Sequence, residues 1–341
     1  MAGGKGTRFW PLSREKKAKQ FLTMVGDKPM IAATFDRVVG LTKKEHRWIL
    51  GNHIQSEQLD QFTNYVNPNQ ILREPFGKNT AACIGWAAFE ALKKDPDAVC
   101  VMLSADAWIE PISAFQTVLQ QAVAEVQQTD SVVTIGIPPT RPHTGYGYIE
   151  VAQSSPGCVP IKSFVEKPDL ATAQQYLKSD QFFWNAGIFV WSAKKIIDCL
   201  KRYMPHHYSV IKSFTDQHLL DPAQIAPYYE QLEPISIDYG VMEHISDQIK
   251  LIPATFSWSD IGSWGSLEEY LPKDSQNNAI KGNVLAVKSQ GNIVVSDKRL
   301  VALGYVDDLI VIDSDDALLI LPKDQDQAIK SIYEQLDQQY K

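Results

Sequence analysis

Between residues 45 and 135, short apolar runs alternate with longer segments of helical period, and this alternation constrains the fold more than any other feature. Arg47-Trp48-Ile49-Leu50-Gly51 reads as a buried strand. Asn79 to Lys94 reads as a helix, with Asn79 or Thr80 at its N-cap. Ala98 to Leu103 is a second apolar run, stopping at Ser104-Ala105-Asp106; Ile112 to Gln128 is again helical, and Ser131 to Ile137 is a further strand. Strands and helices in this order predict an α/β fold with a mostly parallel sheet covered on both faces. Such sheets bind ligands beyond the carboxyl ends of their strands, and Asp106 lies at one of those ends.

The middle of the chain mixes short strands (Gly147 to Val151, Ile161 to Val165, Phe189 to Trp191) with helices near 170–178, 194–203 and 238–245. Its dense aromatic and histidine content suits a lobe that holds a second ligand. After Asn283, apolar triplets begin at Leu285, Ile293, Val301, Ile310 and Leu318, punctuated by Gly and Asp. Regular short strands of this kind fit a meander, a barrel fragment or a β-helix. A polar helix is expected from about Asp324 to Gln339. The polar stretch 272–282 separates an expected domain at 1–275 from a smaller one at 280–341.

The 341 residues carry a net charge of -7, so no global basic surface invites nucleic acid or an anionic membrane. An anionic ligand needs a local positive site, and the first twenty residues supply one: Lys5, Arg8, Arg14, Lys16, Lys17 and Lys19 stand against Glu15 alone. The cysteines Cys83, Cys100, Cys158 and Cys199 lack CxxC spacing, which disfavours a thiolate metal site or a disulfide framework. His143, His206, His207 and His244 show no metal spacing either. With no long apolar stretch and no signal peptide, a cytoplasmic enzyme is the default expectation.

Ala2-Gly3-Gly4-Lys5-Gly6-Thr7-Arg8 places three glycines in four positions. Glycines let backbone N–H groups approach phosphate oxygens without an intervening Cβ, while Arg8 offers a planar fork and Lys19 a point charge. The segment is not a Walker loop, because no Gly-Lys-Ser/Thr follows. Taken alone it fits a plain glycine turn as well. By spacing alone, Asp106 and Asp260 also fit strand-end caps, and Asn79 and Asn185 fit helix or turn caps.

The longer string from Ala2 through Trp10-Pro11-Leu12-Ser13-Arg14 to Lys19-Gln20-Phe21 resembles the signature of the sugar nucleotidyltransferases, in particular the mannose-1-phosphate guanylyltransferases. Five further blocks follow in order: Glu74-Pro75-Phe76-Gly77-Lys78-Asn79-Thr80-Ala81, Phe164-Val165-Glu166-Lys167-Pro168-Asp169, Trp184-Asn185-Ala186-Gly187, Ser236 to Glu243, and Trp258 to Trp264. The resemblance implies a Rossmann-like domain with a mostly parallel mixed sheet and a C-terminal left-handed β-helix. It implies attack by mannose 1-phosphate on the α-phosphorus of GTP, giving GDP-mannose and pyrophosphate. Gly3, Gly4, Gly6, Thr7, Asn79 and Thr80 are then expected at the nucleotide, Arg8 and Lys19 at the leaving pyrophosphate, and Gly145, Glu166, Lys167 and Asn185 at the sugar phosphate. Asp106 and Asp260 are expected to hold Mg2+.

The chain departs from the family pattern at Ala18 (usually Pro), Lys78 (usually Arg), Ser104 (usually Pro) and Ala107 (usually His). These changes leave open another hexose or heptose 1-phosphate as acceptor, a uridylyl or adenylyl donor, or a silent relative that binds nucleotide sugar and regulates a partner. Fused family members carry a C-terminal isomerase domain for which residues 1–341 have no room, so no isomerase activity is expected. The β-unit is a candidate surface for a homodimer. The fold also places a central strand before the glycine-rich loop, yet only Met1 precedes Ala2. Either residues upstream of Met1 are missing or the start is misassigned; without them, an unfilled slot with unpaired backbone groups is expected beside the nucleotide site.

Overall fold

The structure, a computed structural model, describes residues 1–153, 155, 157–165 and 167–341. Helix α1 (Met30–Val38) precedes β1 (Ile49–Asn52), the short α2 (Ser56–Leu59), β2 (Ile71–Glu74), α3 (Asn79–Lys94) and β3 (Val99–Met102). Next come β4 (Trp108–Glu110), α4 (Ile112–Thr129), β5 (Val132–Ile137), β6 (Tyr148–Val151), β7 (Val159–Val165) and β8 (Phe182–Ser192). Strands β9 (Ile249–Pro253) and β10 (Ser257–Ser259) lead to the C-terminal strands β11 (Ala279–Val287), β12 (Ile293–Gly304), β13 (Leu309–Asp313) and β14 (Leu318–Pro322).

Helix α3 follows from its composition: Ala81, Ala82, Ile84, Trp86, Ala88 and Phe89 are buried, and Lys93 and Lys94 sit in the last turn, where positive charge favours the helix dipole. A Cβ on Gly85 would come within 2.8 Å of Ile211 Cδ1 and 3.0 Å of Leu200 Cδ1, so this glycine lets α3 approach the helices Ala193–Tyr203 and Pro205–Asp216. Helix α4 buries one stripe (Phe115, Val118, Leu119, Ala122, Val126) against β5 and β8.

The central sheet runs β3-β8-β5-β9-β7-β6 and is mixed, as expected of the α/β domain. Its ladders, however, are mainly antiparallel: β8 runs opposite to β3, β5 and β6, β7 runs opposite to β6 and β9, and β5–β9 is parallel. The expectation of a mostly parallel sheet fails at β8, which spans 182–192 rather than 189–191 and returns alongside both of its neighbours. Strands β1 and β2 pair in parallel as a separate ladder.

In the C-terminal unit β11–β12 and β12–β13 are parallel and β13–β14 is antiparallel. Its inward residues Ile293, Val295, Ile310, Ile312, Leu319 and Leu321 share one core with Phe9, Trp10, Met24, Met30, Ile261 and Trp264. The turns are tied by buried amides: Asn292 Nδ2 donates to Asn278 Oδ1 at 2.8 Å, and Asn278 Nδ2 to the Ser289 carbonyl at 2.9 Å. The single polar helix expected over 324–339 is instead a 3-10 segment Lys323–Ala328, a helix Ile329–Gln335 and a last turn Gln338–Tyr340, with non-helical backbone at Gln325.

A cavity of about 590 Å³ lies between β1 and β3. Residues 47–50 line one edge and 98–103 the other, with α1, α3 and α4 over its faces. At one end Ala2 N donates to Leu50 O at 2.6 Å, the Met1 ammonium donates to Leu103 O at 2.7 Å, and Ala105 N donates to Met1 O at 2.9 Å. These last two bonds make a parallel bridge centred on Ser104.

Candidate active site

The glycine-rich loop leaves this bridge and turns at Gly6, whose φ is 63° and whose added Cβ would stand 2.7 Å from Lys19 Cβ. Glycine is required there twice over, by conformation and by space. A Cβ on Gly4 would meet nothing within 4 Å, so this face of the loop is open, while one on Gly3 would lie 3.4 Å from Glu74 Oε2. The loop carbonyls are drawn to the other side: buried Gln20 Nε2 donates to Ala2 O at 2.6 Å and Gly4 O at 3.0 Å, and Ser13 Oγ donates to Gly6 O at 2.7 Å. Gln55, also buried, adds a 3.4 Å bond to Gly4 O. Thr7 opens the 3-10 turn Thr7–Phe9.

Lys19, only 4% exposed, aims its ammonium at the Asp106 carboxylate (3.0 Å from Oδ2) and donates to the Asp260 main-chain carbonyl. Burial by itself would raise the Asp106 carboxyl; Lys19 and a hydrogen bond from Ser104 Oγ to Oδ1 outweigh it and hold it below the usual carboxylate range. Ser104, a departure from the family pattern, thus supplies a donor to the acid. Tyr146 OH donates to Asp260 Oδ1 at 2.6 Å, and the exposed Arg8 donates from Nη1 to Gly262 O at 3.3 Å.

Asn185 sits where the β5–β8 register shifts, two residues before Gly187 at φ 65°. Its Nδ2 donates to Asp238 Oδ1 at 2.9 Å, its Oδ1 accepts from Gly187 N at 2.9 Å, and its N–H reaches Gly147 O at 2.8 Å. Gly145 N donates to His143 Nδ1 at 3.1 Å. The N-cap of α3 is Lys78, not Asn79 or Thr80 as expected, and has no side-chain cap bond; Asn79, at φ 63°, is the first helical residue and its Oδ1 accepts from Thr80 N at 2.9 Å, while Thr80 Oγ1 accepts from Ile237 N at 2.9 Å. Lys78 anchors on the Leu232 carbonyl. Contacts therefore run from Thr80 through the 237–238 turn, Asn185, Gly147 and Tyr146 to Asp260, Lys19 and Asp106. Lys167, exposed and at φ 44°, is the second residue after the end of β7. Glu166 lies outside the described residues.

Sequence reasoning assigned no role to Gln55, Tyr146 or Glu74. Glu74 is buried beside the loop; desolvation pushes its carboxyl up to about 8, against Tyr229 and the Met1 ammonium, which lower it. Its place within the block Glu74 to Ala81 was the available signal.

Among the described residues no cluster of three or more His, Cys, Asp or Glu could hold a metal. Two aspartates nonetheless fit Mg2+, which takes one or two carboxylates and completes its shell with phosphate oxygens and water. The Lys19 ammonium lies against Asp106 and the Asp260 backbone, which marks the place as one that favours positive charge.

The Nucleotidyl transferase family matches residues 1–277, and the MannoseP isomerase/GMP-like beta-helix domain matches residues 282–336. The chain is 37% identical to the Xanthan biosynthesis protein XanB of Xanthomonas campestris pv. campestris (strain B100), over 98% of this chain and 72% of that protein. It is 35% identical to Mannose-1-phosphate guanylyltransferase 2 of Escherichia coli O157:H7, with the same coverage of 98% and 72%. A Thermus thermophilus structure named as a mannose-1-phosphate geranyltransferase superposes with a TM-score of 0.87 at 30% identity, covering 98% of this chain and 97% of that one. Nucleotidyltransferases generally use a divalent metal. Among the described residues no helix is long and apolar enough to cross a membrane. With its family model matching residues 1–277 and the β-helix domain following at 282–336, the chain belongs to the nucleotidyl transferase family.

Proposed function

We propose that the protein transfers GMP from GTP to α-D-mannose 1-phosphate, giving GDP-mannose and pyrophosphate. The observation that carries this reading is that Lys19, packed against the glycine-rich loop at Gly6, joins the Asp106 carboxylate to the Asp260 main-chain carbonyl. The names of the relatives from Escherichia coli and Thermus thermophilus supply the acceptor, mannose 1-phosphate. In this reading residues 1–275 bind both substrates, and residues 280–341 form a supporting β-domain that is also a surface for a homodimer. The reaction belongs to the cytoplasm, where GTP is at hand.

The phosphate oxygen of the acceptor is already an anion, so no general base or covalent intermediate is needed; the protein supplies alignment and charge neutralisation. Backbone N–H groups of Gly3, Gly4, Gly6 and Thr7 receive the triphosphate. Asn79 and Thr80 lie at the nucleoside, and Gly145, Glu166, Lys167 and Asn185 at the sugar phosphate. Arg8 and Lys19 balance charge that builds on the leaving pyrophosphate. Mg2+, held by Asp106 and Asp260, supplies Lewis-acid charge to the phosphates when bound.

Pyrophosphate release from GTP plus mannose 1-phosphate tests these roles. Arg8→Ala and Asp106→Ala are expected to lower kcat by about a hundred- to a thousandfold, the usual loss on removing one charge-stabilising group. Full activity in either variant contradicts its role.

A further inference from the structure

Tyr146 belongs to the loop that leads from Gly145 into β6 but is held as a core residue, 8% exposed. Its ring stacks on His143 at a centroid distance of 3.7 Å and meets Trp184 edge-on at 5.2 Å and Trp258 at 5.3 Å. These contacts close off the ring and leave the hydroxyl one direction, 2.6 Å from Asp260 Oδ1. The adjacent glycine serves the same packing: a Cβ on Gly145 would press to 2.9 Å from His143 Cε1, and Gly145 N already donates to His143 Nδ1.

Asp260 is shaped from the other side as well. It is followed by buried Ile261 at φ 39° and by Gly262, where a Cβ would lie 2.8 Å from Asp260 Oδ2. Its main-chain carbonyl is tied to Lys19. The two carboxylate oxygens are thereby distinguished: Oδ1 receives the phenol, and space is kept beside Oδ2.

We infer that Tyr146 is a positioning residue for Asp260, its hydroxyl fixing the carboxylate through Oδ1 so that Oδ2 is the oxygen offered to a divalent cation. The inference rests on the reading of Asp260 as a metal ligand. It makes the acceptor-side loop before β6 part of the cation site, since the loop that carries Gly145 also sets the rotamer of the acid. Partners that orient a metal ligand typically contribute about ten- to a hundredfold in metal affinity.

The test compares Tyr146→Phe, which keeps the ring and removes only the hydroxyl, with Asp260→Asn. Mn2+ binding to the full-length protein saturated with GDP-mannose is followed by electron paramagnetic resonance, alongside the Mg2+ concentration for half-maximal activity, the KM for mannose 1-phosphate and the melting temperature. Expected for Tyr146→Phe are Mn2+ binding weaker by at least about tenfold, a matching rise in the Mg2+ requirement, and little change in KM or melting. Weakened Mn2+ binding in Asp260→Asn with unchanged binding in Tyr146→Phe overturns the positioning role alone. Unchanged binding in both variants overturns the ligand role of Asp260 and the inference with it. A Tyr146→Phe protein with lowered melting temperature but unchanged Mn2+ binding reduces Tyr146 to a packing residue.

Discussion

The glycine-rich loop has two flanks, and they are built differently. Downstream, residues 9–24 are packed on the C-terminal unit. Phe9 and Trp10 enter its core, Trp10 Nε1 donates to Tyr340 O at 3.0 Å, and Arg14 pairs with Asp316 at 2.6 Å. Upstream, the loop hangs on the few bonds of Met1 and Ala2 at the mouth of a cavity of about 590 Å³. The position of the loop backbone is thus set mainly by a separate β-unit far along the chain, and the small C-terminal unit takes part in shaping the candidate site.

The comparison is sharpened most by filling the open flank. Six apolar residues added before Met1 would continue the parallel bridge at Ser104 along 98–103. Covering the apolar lining of this cavity is expected to stabilise the fold, read as a higher denaturant midpoint and slower amide exchange in β1 and β3, with tighter GTP binding. An extension with aspartate at alternate positions is expected to give none of this.

Breaking the packed flank is the next largest effect. Trp264 is fully buried, meets Phe9 edge-on at 5.1 Å, and donates from Nε1 to Trp10 O at 3.3 Å. Trp264→Ala is expected to cost about 4 kcal/mol. If the β-unit positions the loop, GTP affinity falls along with stability; unchanged GTP affinity in the folded variant would separate the two.

The third prediction concerns Glu74 on the upstream flank. Its carboxyl, ordinarily near 4.5, is raised to about 8 in the fold. The folded state therefore keeps a proton that the unfolded state gives up first, and stability falls as pH rises from about 5 toward 8. Between pH 5 and 7.5 this amounts to about 3 kcal/mol. Burial pushes the Met1 ammonium below its ordinary range, which gives a slope of opposite sign. The difference between wild type and Glu74→Gln isolates the carboxyl. Urea midpoints across this range are expected to converge at low pH and to favour Glu74→Gln as pH rises; parallel curves would contradict the assignment.

Where order along the chain was enough, the sequence was legible. The span of α3 matched from Asn79 to Lys94, and β3 and α4 to within one or two residues; the C-terminal triplets marked strand positions, but those at Ile293 and Val301 belong to one long β12. What escaped depends on partners far away. The length of β8 is set by neighbours on both sides, and its register shift at Asn185 and Gly187 hides the strand period. The helices Pro205–Asp216 and Pro222–Glu230 also went unread; Pro205 and Pro222 occupy their first turns, where a missing N–H costs no helical bond. In the candidate site, local pattern placed the glycine-rich turn and put Asp106 at the end of a strand, while their expected roles came from the resemblance of the longer blocks. The clamp of Gln20 and Gln55, and the bond from Tyr146 to Asp260 across 114 residues, are products of the tertiary fold.

The central claim, guanylyl transfer to mannose 1-phosphate, is tested most directly by offering GTP, UTP and ATP in parallel with mannose 1-phosphate and Mg2+ and measuring pyrophosphate release. The account predicts GDP-mannose and pyrophosphate in equal amounts from GTP, with kcat/KM for UTP and ATP lower by at least about a hundredfold. Equal use of UTP or ATP, or GDP-mannose binding with no turnover from GTP, would contradict it.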